Sequence, residues 1–224
     1  MRIRILERDG ALVYQVVDRG DHTDETLASM LYQPSGATFE RAYPPGLLFP
    51  HDRASLEARA NRFLAREAQG APTREAFESA LERVCDRHRE AGVEWWLAGS
   101  AALAVRGLDV RPHDIDVLTS LSQLERLVPV VEPEVVEPFH DSTGWVVRGF
   151  GVVDAGYRVD YAFDPEPWVD AAGPVDFGPT AAGSLEVVRW HGREIRVPPL
   201  ALHVPSNRAR GRDAVVAAIE ARLR

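Results

Sequence analysis

The chain has 224 residues, 45% of them apolar, enough to bury a sizeable core in one large domain or in a main domain with an appendage. Its formal net charge of −8 argues against bulk binding to duplex nucleic acid, which depends on neutralising phosphates. Cys85 is the only cysteine, which excludes an intramolecular disulfide and a cysteine-built zinc cluster. The N-terminus, MRIRILERDG, lacks the apolar run of a signal peptide, and no stretch reaches the roughly 18 apolar residues of a membrane span, so a cytoplasmic protein is expected. All 26 basic residues are arginine, so any phosphate contact commonly made by lysine falls to a guanidinium, whose planar fork suits phosphate oxygens.

In chain order, two alternating runs, Arg2 to Leu6 and Ala11 to Val17, flank Arg8-Asp9-Gly10 and predict a hairpin. Gly20 to Pro50 is rich in proline and glycine and reads as loop with one short helix. Asp52 can cap a helix reaching about Gln69, with Leu56, Ala60, Phe63 and Leu64 on one face. Gly70-Ala71-Pro72 reads as a boundary. A second helix starts at Thr73, carries Phe77, Leu81, Val84, Cys85 and His88 on one stripe, and stops at Gly92. On that stripe Cys85 reads as a buried thiol, and His88 as a packing or dipole-complementing residue. Trp95 to Ala98 predicts a short strand ending at Gly99-Ser100, Ala101 to Arg106 a brief helix, and Ile115 to Leu118 a second strand. A helix from Ser122 to Leu127 follows, then hairpins of Trp145–Val153 with Tyr157–Phe163 and of Leu185–Trp190 with Glu194–Val197, and a closing helix from about Gly211 to Leu223. The mixture predicts an α+β fold. His51, His140 and His191 fall in predicted loops without zinc-site spacing.

The chemistry concentrates in Trp96-Leu97-Ala98-Gly99-Ser100 and in Arg111-Pro112-His113-Asp114-Ile115-Asp116-Val117-Leu118. On a strand, residues two apart share a face, so Asp114 and Asp116 project together while Ile115 and Val117 turn to the core. Two carboxylates that close repel unless a cation separates them, and hard oxygen donors select Mg²⁺ or Mn²⁺. A strand ending in Gly-Ser that opens a helix presents free N–H groups to an anion such as a triphosphate. In Tyr157 to Phe163, Asp160 is a lone acid in an apolar strand, costly unless paired or metal-bound. If that strand lies beside the Asp114–Asp116 strand, the three acids form a cluster suited to two-metal phosphoryl transfer, with Asp160 as ligand or general base. Alternatively Asp160 pairs with Arg158 or Arg148. Arg111 and His113 either contact nucleotide or merely balance charge.

Gly-Ser, a short helix, Asp-Ile-Asp and a later strand aspartate together resemble the DNA-polymerase-β-type nucleotidyltransferase superfamily over about residues 75–220. Trp96 to Ala104 and Arg111 to Asp116 are similar to two of its branches, the aminoglycoside and lincosamide nucleotidyltransferases and the abortive-infection toxins of toxin–antitoxin systems. The resemblance implies a core of mixed sheet flanked by helices, assigned to 71–224; it does not extend to residues 1–70, which read as a small N-terminal α/β appendage of unassigned role. It implies Asp114, Asp116 and Asp160 as catalytic metal ligands for Mg²⁺ or Mn²⁺, and Gly99, Ser100, Arg111, Arg208, Arg210 and Arg212 as nucleotide contacts. Asn207 falls near a position where the superfamily usually has lysine, and Arg212 replaces a second lysine. The implied reaction is transfer of a nucleotide monophosphate from an NTP to a hydroxyl of an antibiotic-like small molecule, an RNA or a protein. The alternative is an inactive binding module that keeps the fold.

Overall fold

The computed structural model describes residues 1–70 and 72–224; Ala71, in the expected Gly70-Ala71-Pro72 boundary, lies outside the described residues. Strands β1 (Arg2–Arg8) and β2 (Ala11–Asp18) form the expected antiparallel hairpin, with Asp9 and Gly10 at the positive φ values that a tight turn requires. The next stretch is more ordered than its proline and glycine content suggests. After α1 (Asp24–Ser29), β3 (Gln33–Ser35) and β4 (Thr38–Tyr43) complete a four-stranded sheet of order β1-β2-β4-β3. Pro34 is tolerated because β3 is an edge strand, where a missing N–H costs no ladder bond.

Two helices follow, the first with the expected Asp52 cap and the second beginning one residue after Thr73, which caps it. The Asp52 carboxylate accepts the Ser55 N–H at the start of α2 (Arg53–Glu67), and the Thr73 hydroxyl accepts the Ala76 N–H at the start of α3 (Arg74–Ala91). Gly92 ends α3 in the left-handed conformation. His88 and Cys85 on its inner stripe are buried. Burial pushes the His88 pKa down to about 4, so the ring is neutral and packs against Tyr161 instead of complementing the helix dipole.

The second sheet positions the candidate site. It comprises β5 (Trp95–Leu97), β6 (Ile115–Thr119), β7 (Val135–Asp141), β8 (Val147–Asp154) and β9 (Arg158–Pro165), in the order β5-β6-β9-β8-β7. Only β6 and β9 run parallel; the other pairs are antiparallel. Between β5 and β6 lies α4 (Gly99–Val105), and between β6 and β7 lies α5 (Leu124–Val131) behind a 3-10 turn. Strand β7, which carries His140, is not evident in the sequence because Glu137-Pro138 interrupts its apolar run; it is a bulged edge strand. The chain ends with α6 (Pro179–Ala182), the hairpin of β10 (Glu186–Trp190) and β11 (Arg193–Val197), and helices α7 (His203–Ala209) and α8 (Asp213–Leu223). The architecture is α+β.

The N-terminal sheet is joined to the second sheet along β7. Tyr14 donates its hydroxyl to the Val136 carbonyl at 2.9 Å, Arg59 Nε donates to the Val135 carbonyl at 2.8 Å, and the Leu48 N–H donates to the Phe139 carbonyl at 2.8 Å. Ile3, Tyr14 and Leu56 share one buried cluster with Leu81, Ile115 and Phe139. Trimming Leu56, which is fully buried on α2, removes contacts that bind the two sheets. Leu56→Ala is therefore expected to cost about 2–5 kcal/mol in a single cooperative transition. Urea unfolding followed by near- and far-ultraviolet circular dichroism checks this; two separated transitions would contradict it.

Candidate active site

Parallel pairing of β6 with β9 sets Asp116 opposite Asp160. Asp114 lies just before β6, on the same face as Asp116. One oxygen from each of Asp114, Asp116 and Asp160 lies within 4.8 Å of the others, the only such acidic cluster among the described residues. The opposite face is anchored by Ile115, Val117, Val159 and Tyr161, all buried.

Electrostatics bear the mark of that crowding. Burial, then Asp114, Asp160 and Asp176, push Asp116 well above the usual carboxylate range against a lowering influence from Arg210. Burial pushes Asp160 up to about 7 in spite of Arg158, whose guanidinium forks it with contacts of 2.7 and 3.2 Å. The expected triad and the alternative Arg158–Asp160 pair thus coexist, whereas Arg148 reaches Glu166 instead. Three oxygen donors short of positive charge fit a divalent cation, which would be held by Asp114, Asp116 and Asp160.

Gly99 sits at the end of the strand with φ +60, and a Cβ built there would come within 2.1 Å of Asp116 Oδ2. Both its conformation and its contact therefore require glycine. The turn is held from beneath by a residue that the sequence reading did not single out. Asp176, buried in the loop before α6, accepts the Gly99 N–H at 3.0 Å and the Ser206 hydroxyl at 2.6 Å, with His203 Nδ1 at 3.1 Å. Burial alone would raise its pKa, but these donors more than offset that and hold it below the usual value. A solitary aspartate between Gly173-Pro174 and Gly178-Pro179 has no periodicity to mark it as buried, so only the fold reveals it.

Gly99, Ser100, the three carboxylates, Asp176, Arg210 and Arg212 line one cleft of about 370 Å³. Arg210 and Arg212 are exposed at its edge. Two other expected nucleotide contacts lie elsewhere. Arg208 points to Glu220 at 3.0 Å on α8, because it falls on the outer side of α7. Arg111 donates to the Pro72 carbonyl at 2.8 Å and lines a different cavity, with Phe77 and Trp190. His113 does reach the cleft, and Asn207 lines it where a lysine was expected.

A family model described as aminoglycoside-2''-adenylyltransferase matches residues 80–162, the stretch from α3 to just past Asp160. No curated protein matches the chain. Among solved structures, a candidate nucleotidyltransferase from Thermotoga maritima aligns at 20% identity, covering 69% of this chain and 97% of that one, with a TM-score of 0.48. The antibiotic-resistance factor ANT(2'')-Ia aligns at 16% identity, covering 65% of this chain and 83% of that one, with a TM-score of 0.45.

Two outcomes follow from the crowded carboxylates. Ionising Asp116 and Asp160 is harder in the folded than in the unfolded state, so the cation-free protein loses stability as pH rises from about 4 through about 7. Mg²⁺ or Mn²⁺ should relieve that cost only where the acids are ionised: a clear rise in Tm at pH 8, little at pH 5, and none in Asp116→Asn. An equal rise at both pH values, measured by scanning fluorimetry, would contradict the assignment. Gly99→Ala should destabilise by about 1–3 kcal/mol and abolish the metal-induced rise by displacing Asp116.

The match over residues 80–162 covers both the Gly99-Ser100 turn and the three aspartates, so the stretch that builds the acidic cluster is similar to the aminoglycoside-2''-adenylyltransferase family.

Proposed function

We propose that the protein transfers a nucleoside monophosphate from an NTP to a hydroxyl group of a small molecule, releasing pyrophosphate. The observation that supports this best is the convergence of the Gly99-Ser100 turn, three crowded carboxylates and two arginines on one cleft. Asp114, Asp116 and Asp160 would hold a divalent cation, which would supply positive charge for the triphosphate and lower the pKa of the attacking hydroxyl. Gly99, without a side chain, lets backbone approach the phosphates, and the Ser100 hydroxyl donates to one of them. Arg210 and Arg212 neutralise the β- and γ-phosphates and the departing pyrophosphate through charge-assisted bonds. The acceptor oxygen forms a bond to the α-phosphorus as the bond from that phosphorus to the pyrophosphate oxygen breaks. Asp160, held near neutrality by burial, is the group suited to take the hydroxyl proton if it is not spent on the cation. A net charge of −8 disfavours RNA as acceptor.

A second reading, an inactive module that binds without transfer, is favoured by the Arg158 guanidinium already seated on Asp160 and by the absence of lysine. Incubation with each α-³²P-labelled NTP, Mg²⁺ and panels of small hydroxyl compounds or total RNA separates the two. Label on a small molecule, lowered about 10³-fold or more in Asp116→Asn, is expected. Silence across all NTPs, with no NTP-induced stabilisation, would leave the inactive module.

A further inference from the structure

The cleft draws its two sets of candidate phosphate contacts from distant parts of the chain: Gly99-Ser100 after β5, and Arg210 and Arg212 between α7 and α8. One carboxylate lies between them. Asp176 Oδ2 accepts the Gly99 N–H at 3.0 Å, and Asp176 Oδ1 accepts the Ser206 hydroxyl of α7 at 2.6 Å. We infer that Asp176 is a positioning residue for the nucleotide, tying the Gly99 turn to the arginine-bearing turn so that both grip one triphosphate. The inference rests on the nucleotidyl-transfer reading above.

Each end of the tie leads directly to a phosphate contact. On one side it ends on the backbone of Gly99, beside Ser100. On the other it ends on Ser206, next to Asn207, whose carbonyl accepts the N–H groups of Arg210 at 3.2 Å and of Arg212 at 3.0 Å. Gly211, between those arginines, makes this tight turn possible with φ +65. The Asn207 side-chain amide in turn donates to the His203 carbonyl at 2.8 Å, which fixes the same residue to the start of α7. A movement of Ser206 is therefore passed on to both arginines. Groups that must meet one ligand together gain most when their spacing is set before the ligand arrives.

The chemistry of the residue suits this task. A carboxylate accepts on both oxygens, whereas an amide in its place has one acceptor oxygen and would turn an NH₂ group toward one of the two donors. Asp176 is 3% exposed, and His203 Nδ1 lies 3.1 Å from its Oδ2. Its loop is pinned in turn. Asp170 accepts the Val175 N–H at 3.2 Å and the Thr180 N–H at 2.7 Å, and a side chain at Gly178 would collide with that aspartate. Asp176 is thus held on a rigid loop and reaches two separate elements.

The test uses the full chain. Each NTP with Mg²⁺ is titrated by calorimetry, and Mn²⁺ alone is titrated by its electron-paramagnetic-resonance signal. Ser206→Ala removes the tie at α7 and keeps the helix backbone intact. It is expected to weaken the NTP about tenfold and to leave Mn²⁺ affinity unchanged, a split that general loosening of the fold would not produce. Asp176→Asn should weaken the NTP at least as much; should it fail to fold, Ser206→Ala still decides. Because the tie acts through the arginines, Ser206→Ala combined with Arg210→Gln should lose less than the two separate losses together. Unchanged NTP affinity in Ser206→Ala, a parallel loss of Mn²⁺ binding, or losses that simply add would overturn the inference while the transfer reading stands. Failure of the unaltered chain to bind any NTP would instead sink the transfer reading, and this inference with it.

Discussion

Three carboxylates with oxygens within 4.8 Å of one another are the arrangement on which the rest of the molecule depends. Left to themselves they would separate or take up protons. Parallel pairing of β6 with β9 prevents separation by locking Asp116 opposite Asp160, while the buried Ile115, Val117, Val159 and Tyr161 keep both strands from rotating. The strain appears as proton affinity: Asp116 and Asp160 are held above the ordinary carboxylate range. A divalent cation held by the three acids would relieve that cost.

Around that centre, each supporting contact answers a problem the carboxylates create. Gly99 leaves room for Asp116, and Asp176 fastens the Gly99 turn from below with the help of Ser206 and His203. Arg158 offsets part of the charge on Asp160 while sharing Glu137 with Arg41. The chain of contacts runs from the triad through Arg158 and Glu137 to Arg41 on β4. The N-terminal sheet is thus electrostatically continuous with the site, besides sharing its buried core.

Much of this was legible in the sequence where chemistry and periodicity coincide. Asp-Ile-Asp on an apolar strand and a solitary Asp160 in another apolar strand announce a shared face; Asp52 announces the cap of α2, and Thr73 announces a helix start that the structure has one residue later. Where proline breaks a pattern, the reading fails: β3 contains Pro34 and β7 contains Pro138, and both are edge strands able to spare an N–H. Long-range partners were also invisible. Nothing near Asp176 hints that it accepts from Gly99, 77 residues earlier, and nothing near Arg208 shows that Glu220 claims it. Residues 1–70, to which no chemistry could be given, turn out to wall a cavity that reaches the carboxylates.

The central claim is that these three aspartates form a cation site. Direct titration of Mn²⁺ at pH 8, followed by the loss of its free electron-paramagnetic-resonance signal, tests it without depending on turnover or on the acceptor. The account predicts saturable binding to the unmodified chain that is lost in Asp116→Asn and weakened at least about tenfold in Asp160→Asn. Binding of equal strength in all three proteins would contradict it.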